Sequence, residues 1–133
     1  MTNAKGCPIL DTIKLSNSIT NIDQWTFKGC RSLTSVIIPD RVKVINSGAF
    51  QECTSLSHVS LSNSLKIIGD NAFAGCTTLT SITLPASIRR IGDNAFGGCV
   101  GLKEITISKR FEDDLPRIFN GVELSDVKIY WLT

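Results

Sequence analysis

Five cysteines are the first residues in this sequence whose type invites chemistry: Cys7, Cys30, Cys53, Cys76 and Cys99, each 23 residues after the one before. Thiols bind metals, form disulfides or act as nucleophiles, and each use has a geometric requirement. A metal needs ligands that converge on a point, and a complete disulfide set needs an even number of partners. Equal spacing supplies neither. It makes the thiols successive members of one column, about 4.8 Å apart if they occupy the same position in stacked coils. The expectation is a reduced column of five equivalent thiols packed as small hydrophobes, with no metal and no cofactor. His58 is the only histidine, so one chain cannot build a histidine-based triad or a multi-histidine metal site. The glycines recur as bends and make no phosphate loop. Nothing here supports catalysis, and the chain reads as no enzyme.

The elements that must position these residues follow from the same period. Phe27, Phe50, Phe73, Phe96 and Phe119 keep the 23-residue step, as do Leu10, Leu33, Leu56, Leu79 and Leu102, and Ile13, Val36, Val59, Ile82 and Ile105. A fixed period of roughly 20–29 residues is the signature of a leucine-rich-repeat solenoid. Within each unit the run Leu-x-x-Ile-x-Leu ends in alternation, which predicts a short half-buried strand. Pro39 and Pro85 follow two of these strands and turn the chain. The second half, clearest as Ile88 to Phe96, predicts a short extended piece, a bend at glycine and a single turn, too short for a helix. The fold class is therefore a leucine-rich-repeat solenoid of mostly short parallel strands, with turns or single 3₁₀ turns and little regular helix. The phenylalanines form an inward aromatic spine. Residues 1–6 form a polar N-terminal tail. Residues 7–133 form one solenoid domain, with repeats 7–29, 30–52, 53–75, 76–98 and 99–121 and a terminal half-repeat 122–133.

Composition narrows the function classes. The chain has 133 residues, 42% of them hydrophobic, and a net charge of +2. That charge is too small to imply nucleic acid. No apolar run reaches the roughly 18 residues of a membrane span, so no membrane insertion is expected. The opening MTNAKGCPILD has no apolar core of a secretory signal.

Three surfaces are candidates for binding. The outward positions of the strands form two columns: Thr12, Ser35, His58, Ser81, Glu104 and Asp126, and Lys14, Ile37, Ser60, Thr83, Thr106 and Lys128. Small hydroxyls dominate this face, and Ile37 beside His58 is its most anchor-like spot; the candidate ligand-binding residues are Ser35, Ile37, His58, Ser60, Ser81, Thr83, Glu104 and Thr106. A basic stripe, Lys43, Lys66 and Arg89 with Arg90 adjacent, recurs on the same period. Stacked like charges repel, and Asp70 and Asp93, four residues after Lys66 and Arg89, are placed to neutralise them; otherwise the stripe suits an acidic protein or an anionic glycan. The third is the C-terminal end. There Phe111, Leu115, Tyr130, Trp131 and Leu132 either fold back as a lid, with Trp131 over the last phenylalanine, or leave an apolar end that docks on another subunit.

Read from the cysteine, the units resemble the BspA-like class of leucine-rich repeats, whose unit runs Cys-x-x-Leu-x-x-Ile-x-Leu-Pro-x-Ser-Ile-x-x-Ile-Gly-x-x-Ala-Phe-x-Gly. Residues 76–98 match at nearly every marked position, residues 53–75 nearly as well, and the resemblance covers about 7–129. It implies a surface or secreted adhesin without catalytic residues, binding a host or cell-surface protein. The alternative is a structural solenoid that assembles into a homo-oligomer through its C-terminal end.

Overall fold

The computed structural model describes residues 12–133. Cys7 and Leu10, with the polar tail, lie outside the described residues. Two parallel ladders run along the stack of coils. The front ladder collects the strands that follow each repeated leucine: β1 (Thr12–Ile13), β3 (Ser35–Ile37), β5 (His58–Ser60), β7 (Ser81–Thr83), β9 (Glu104–Ser108) and β10 (Lys128–Leu132). The back ladder, in the order β2-β4-β6-β8, is built from two-residue strands: β2 (Asn21–Ile22), β4 (Val44–Ile45), β6 (Ile67–Ile68) and β8 (Arg90–Ile91). Register follows the period, with Ser35 opposite His58 and Ile45 opposite Ile68.

A third line of hydrogen bonds joins the turns. The amides of Phe27, Phe50 and Phe73 donate to the carbonyls of Ala49, Ala72 and Ala95 in the next coil, at 2.7–2.8 Å. Inside these three lines the repeated apolar residues close the core, with Leu33, Leu56, Leu79, Ile45, Ile68, Ala49 and Ala72 fully buried. The turns themselves are successive i→i+3 bonds, such as Gln51 N–H to Gly48 O and Cys53 N–H to Phe50 O. They pass through a left-handed residue at the same position in each of the first four coils: Trp25, Gly48, Asn71 and Asn94, φ between 58° and 64°. Glycine and asparagine accept that conformation; tryptophan is strained by it. The Trp25 ring lies on Gly48, where an added Cβ would meet the indole at 2.3 Å.

The fifth coil departs as its sequence does. A 3₁₀ segment over Lys109–Asp114 and a four-residue helix α1 (Leu115–Ile118) replace the back strand, and Phe111, Leu115 and Ile118 fill the core. The back ladder then lacks a next strand to accept from. Two arginines stand in for it. The carbonyls of Ile22, Ile45 and Ile68 each accept a backbone N–H from the following coil, whereas Ile91 O accepts from the Arg117 guanidinium at 2.8 Å. Arg110 likewise donates to Ile88 O.

Two expectations about the front ladder need correction. The last strand does not place Asp126 beside Glu104; Lys128 stands there, Tyr130 stands beside Thr106, and Trp131 beside Ile107. Asp126 would have put two carboxylates side by side, whereas Lys128 is of opposite charge and brings Ile129 and Trp131 to the inner face. The ladder is also interrupted: β1-β3-β5 and β7-β9-β10 are separate three-stranded sheets. At the interruption Val59 and Leu61 are only half-buried, while their equivalents Val36, Ile82, Ile38 and Leu84 are buried. The Ser62 hydroxyl, at the position of Pro39 and Pro85, is buried without a hydrogen-bond partner.

The phenylalanine spine is continuous across all five coils. Ring centroids lie 5.3, 5.1, 5.2 and 5.4 Å apart, with interplanar angles of 3–19°. Each inner ring touches two others, so truncating a central one opens a cavity with stacked neighbours on both sides. Phe73→Ala is expected to lower the unfolding free energy in urea titration by about 3–5 kcal/mol. A loss below about 1 kcal/mol would show that the spine is not the core of the stack.

Candidate functional site

The outward side of the front ladder is where side chains are both ordered by register and free of the core. Ile37, His58, Ser60, Ser81, Thr83 and Glu104 are exposed, and Ser35 and Thr106 half-buried. Ile37 is 71% exposed, an extreme value for an isoleucine held in a strand. It borders a cavity of about 410 Å³ lined also by Ile13, Lys14, Leu15, Val36 and Pro39. His58 Nδ1 lies 3.0 Å from the Ser57 hydroxyl. Strand pairing brings Ser35 and Ile37 beside His58 and Ser60, and Ser81 and Thr83 beside Glu104 and Thr106. It does not join these two groups, because the ladder is interrupted between them. A second cavity of about 450 Å³ sits there, lined by Val59, Leu61, Thr83, Pro85 and Leu132. The two-residue register difference adds Tyr130, 46% exposed, to the column of Ile37, Ser60, Thr83 and Thr106. Counting repeats from the sequence missed this anchor; the pairing of Lys128 with Glu104 was the signal that could have found it.

The basic stripe lies along the back ladder. Lys66 N–H donates to Lys43 O and Arg89 N–H to Lys66 O, both at 2.8 Å, so the three are adjacent rungs. Arg90 is opposite Ile67. The expected neutralisation by Asp70 and Asp93 does not occur. Asp70 Oδ1 accepts the Asp93 amide at 2.8 Å, and the Asp93 carboxylate pairs with Arg117 at 3.0 Å. The ion pairs among the described residues are Lys109–Glu112, Arg117–Asp93 and Arg117–Asp114, none of which includes the stripe. The turn that carries Asp70 and Asp93 follows the back strand and sends their side chains to the neighbouring turn rather than back toward the stripe.

Comparison with known proteins agrees with this geometry. A family model described as the BspA type leucine rich repeat region matches six copies across residues 4–129. The chain belongs to the BspA-type leucine-rich repeat family. Among solved structures, a leucine rich cell surface protein of Faecalibacterium prausnitzii is similar at 29% identity and a TM-score of 0.79, over 92% of this chain and 32% of that one. The pneumococcal vaccine antigen PcpA is similar at 25% identity and a TM-score of 0.70, over 72% of this chain and 24% of that one. A leucine rich repeat protein of Treponema pallidum, at 23% identity and a TM-score of 0.62 over 92% of this chain and 70% of that one, shares the fold. No curated protein sequence matches the chain. The chain thus spans about a third of the Faecalibacterium protein and a quarter of PcpA.

In this BspA-type stack the C-terminal end is closed from within. Phe111 and Leu115 are 6% and 7% exposed, so neither is available to a partner. Trp131 and Leu132 are half-buried, and Trp131 packs on the core with Lys109 Nζ 5.2 Å from its ring. Trp131 does not cover the last phenylalanine as a lid. Its register with Ile107 puts it on the strand side of the core.

The cysteine column of the BspA-type unit has a structural task. The Cys53, Cys76 and Cys99 thiols donate to the carbonyls of Phe27, Phe50 and Phe73, at 3.2–3.4 Å. Those same carbonyls accept the amides of Cys30, Cys53 and Cys76, so each buried turn oxygen has both lone pairs occupied. These three thiols are free and buried. Cys30 is not reduced but disulfide-bonded, which corrects the expectation of five equivalent thiols. The strand spacing that stacks thiols also falls within the roughly 4.4–6.8 Å Cα separation that a disulfide spans, so equivalence along the column forbids no pair. Among the described residues no cluster of histidine, cysteine or carboxylate side chains is arranged to hold a metal.

Burial pushes the Cys53 thiol up from 9.0 to about 12, against a smaller opposing pull from the Cys30 backbone. The Cys99 thiol beside it, and then burial, push Cys76 well above its ordinary value. A thiol that holds its proton more tightly when folded contributes stability that is intact below the unfolded value and lost as pH rises toward the folded one. The urea midpoint is therefore expected to fall as pH climbs from 9.0 toward about 12, and to fall less in Cys53→Ala. At neutral pH a water-soluble maleimide should modify Cys53, Cys76 and Cys99 only after unfolding; rapid native labelling of all three would contradict the buried column.

Proposed function

We propose that this chain is a non-enzymatic recognition module of adhesion type, which binds a host or cell-surface protein through the outward side of its front ladder. The observation that carries the reading is the front-face line of Ile37 and Ser60 on one sheet and Thr83, Thr106 and Tyr130 on the next. It has an exposed aliphatic anchor at one end, an exposed tyrosine at the other and small hydroxyls between them. Protein interfaces concentrate affinity in a few such anchors and tolerate near-neutral polar contacts around them. The similarity to a Faecalibacterium cell surface protein supports a surface location. The test is attachment of cultured epithelial cells to wells coated with the protein. Ile37→Asp and Tyr130→Asp are each expected to reduce attachment at least about 10-fold, with an unchanged melting temperature because both side chains face solvent. Attachment equal to that of the parent protein in both variants would overturn the reading.

A second reading, a structural solenoid that assembles with copies of itself, is favoured by one feature. The strand β10 pairs only with β9, which leaves its other edge without a strand partner among the described residues. Exposed strand edges template further pairing. Self-assembly expects a mass by light scattering that rises with concentration; a constant monomer mass excludes it.

A further inference from the structure

We propose that the back ladder carries a second binding site, for a linear sulfated glycan that lies along the solenoid axis across Lys43, Lys66, Arg89 and Arg90. Backbone bonds at 2.8 Å fix Lys43, Lys66 and Arg89 on consecutive rungs, and Arg90 extends from the neighbouring position. The cations therefore repeat along the axis at about the strand spacing of 4.8 Å. A pyranose ring advances a glycan chain by a similar length, so a chain with a sulfate on successive rings can meet successive cations. Lys66, Ile67, Arg89 and Arg90 line a shallow cavity of about 460 Å³ that would seat part of such a chain. Arg110 adds a fifth positive charge at its end, held there by its bond to Ile88 O.

Among the described residues no acid forms an ion pair with the stripe. Asp70 and Asp93 are engaged with each other's turn and with Arg117, and Glu112, which continues the column of Arg89 by sequence, pairs with Lys109 at 3.5 Å. Like charges on adjacent rungs repel, and a ligand that brings the missing counter-charge relieves them. Three observations favour a glycan over other anions. The amides of Lys43, Lys66 and Arg89 are all bonded to the preceding coil, so an extended acidic peptide lying along the stripe finds no free backbone amide there to pair with. No aromatic side chain lines the cavity to stack a nucleic-acid base. The two guanidinium groups match the oxygens of a sulfate in bidentate fashion, as a lysine-only stripe would not. This site is on the opposite ladder from the protein-binding face, and either can fail without the other.

The test is fluorescence anisotropy with a labelled heparin-type hexasaccharide, the same oligosaccharide after desulfation, a poly-glutamate peptide of equal charge and a single-stranded oligonucleotide. The hexasaccharide is expected to bind, and to bind more weakly as salt rises from about 50 to 200 mM, as counterion release requires. The double variants Lys66→Ala/Arg89→Ala and Lys43→Gln/Arg90→Gln should each lose at least about 10-fold in affinity. Lys103→Ala/Lys128→Ala, on the front ladder, should change it less than about 2-fold, with melting temperature measured on every variant. The proposal is overturned if the parent protein does not bind the hexasaccharide at about 50 mM salt, or if the front-ladder variant loses as much as the stripe variants. Equal binding of the desulfated chain, the peptide or the oligonucleotide overturns the assignment to sulfated glycan.

Discussion

Each coil of this chain must hand the next one the same hydrogen-bonding surface that it received from the coil before. The amide and carbonyl groups at a given position point along the stack, so they can be satisfied only by the same position one period away. That constraint favours a repeated step from coil to coil, and it makes a substitution at one rung a matter for three coils. It explains why the phenylalanine rings lie almost parallel, 5.1–5.4 Å apart, rather than edge to face: the backbone that carries them has already set their separation. It also explains the thiols. A turn carbonyl such as Phe50 O keeps one lone pair beyond the backbone bond from Cys53, and the only group placed to fill it is a small donor on the next coil, the Cys76 thiol.

The same constraint makes the end of a stack a chemical problem. A last strand would leave the carbonyls of the back ladder buried or half-buried without donors, which costs about 1–3 kcal/mol for each buried group. The fifth coil answers with side chains. Arg117 reaches Ile91 O while its other contacts tie down Asp93 and Asp114, and Arg110 reaches Ile88 O. Val122 stands where the next cysteine of the column would fall, and it packs against the core without a donor to offer.

Much of this was legible from residue spacing because a solenoid translates sequence period directly into neighbour identity. Phe73 and Cys76 could be placed beside their equivalents without any knowledge of distance. What the period does not encode is displacement and side-chain reach. Asp70 and Lys66 are four apart, a spacing that pairs charges on a helix, yet here a back strand lies between them and the turn that begins at Asp70 carries its carboxylate to the Asp93 amide instead. The final strand shows the same limit: counting from Leu102 puts Asp126 beside Glu104, but charge and inner-face packing select Lys128. Of the candidate surfaces, the Ile37 and Ser60 pairing and the Lys43–Arg89 stripe could be read as columns; the place of Tyr130 on the front face, and the burial of Phe111 and Leu115, required knowing how the fifth coil closes.

The interruption between β5 and β7 has a mechanical meaning. Among the first three coils, neighbours are held on three sides, by the front ladder, the back ladder and the turn bonds, and tilting one against the next must break bonds on at least one of them. Between the coils of Ser60 and Thr83 the front side has no ladder bonds, while Arg89 N–H to Lys66 O and Phe73 N–H to Ala95 O remain as a spine behind. The stack is compliant there in one direction and stiff in the others, like a book opening on its binding. A partner that grips both Ile37 and Tyr130 straddles that seam, so its grip and the curvature of the solenoid are coupled.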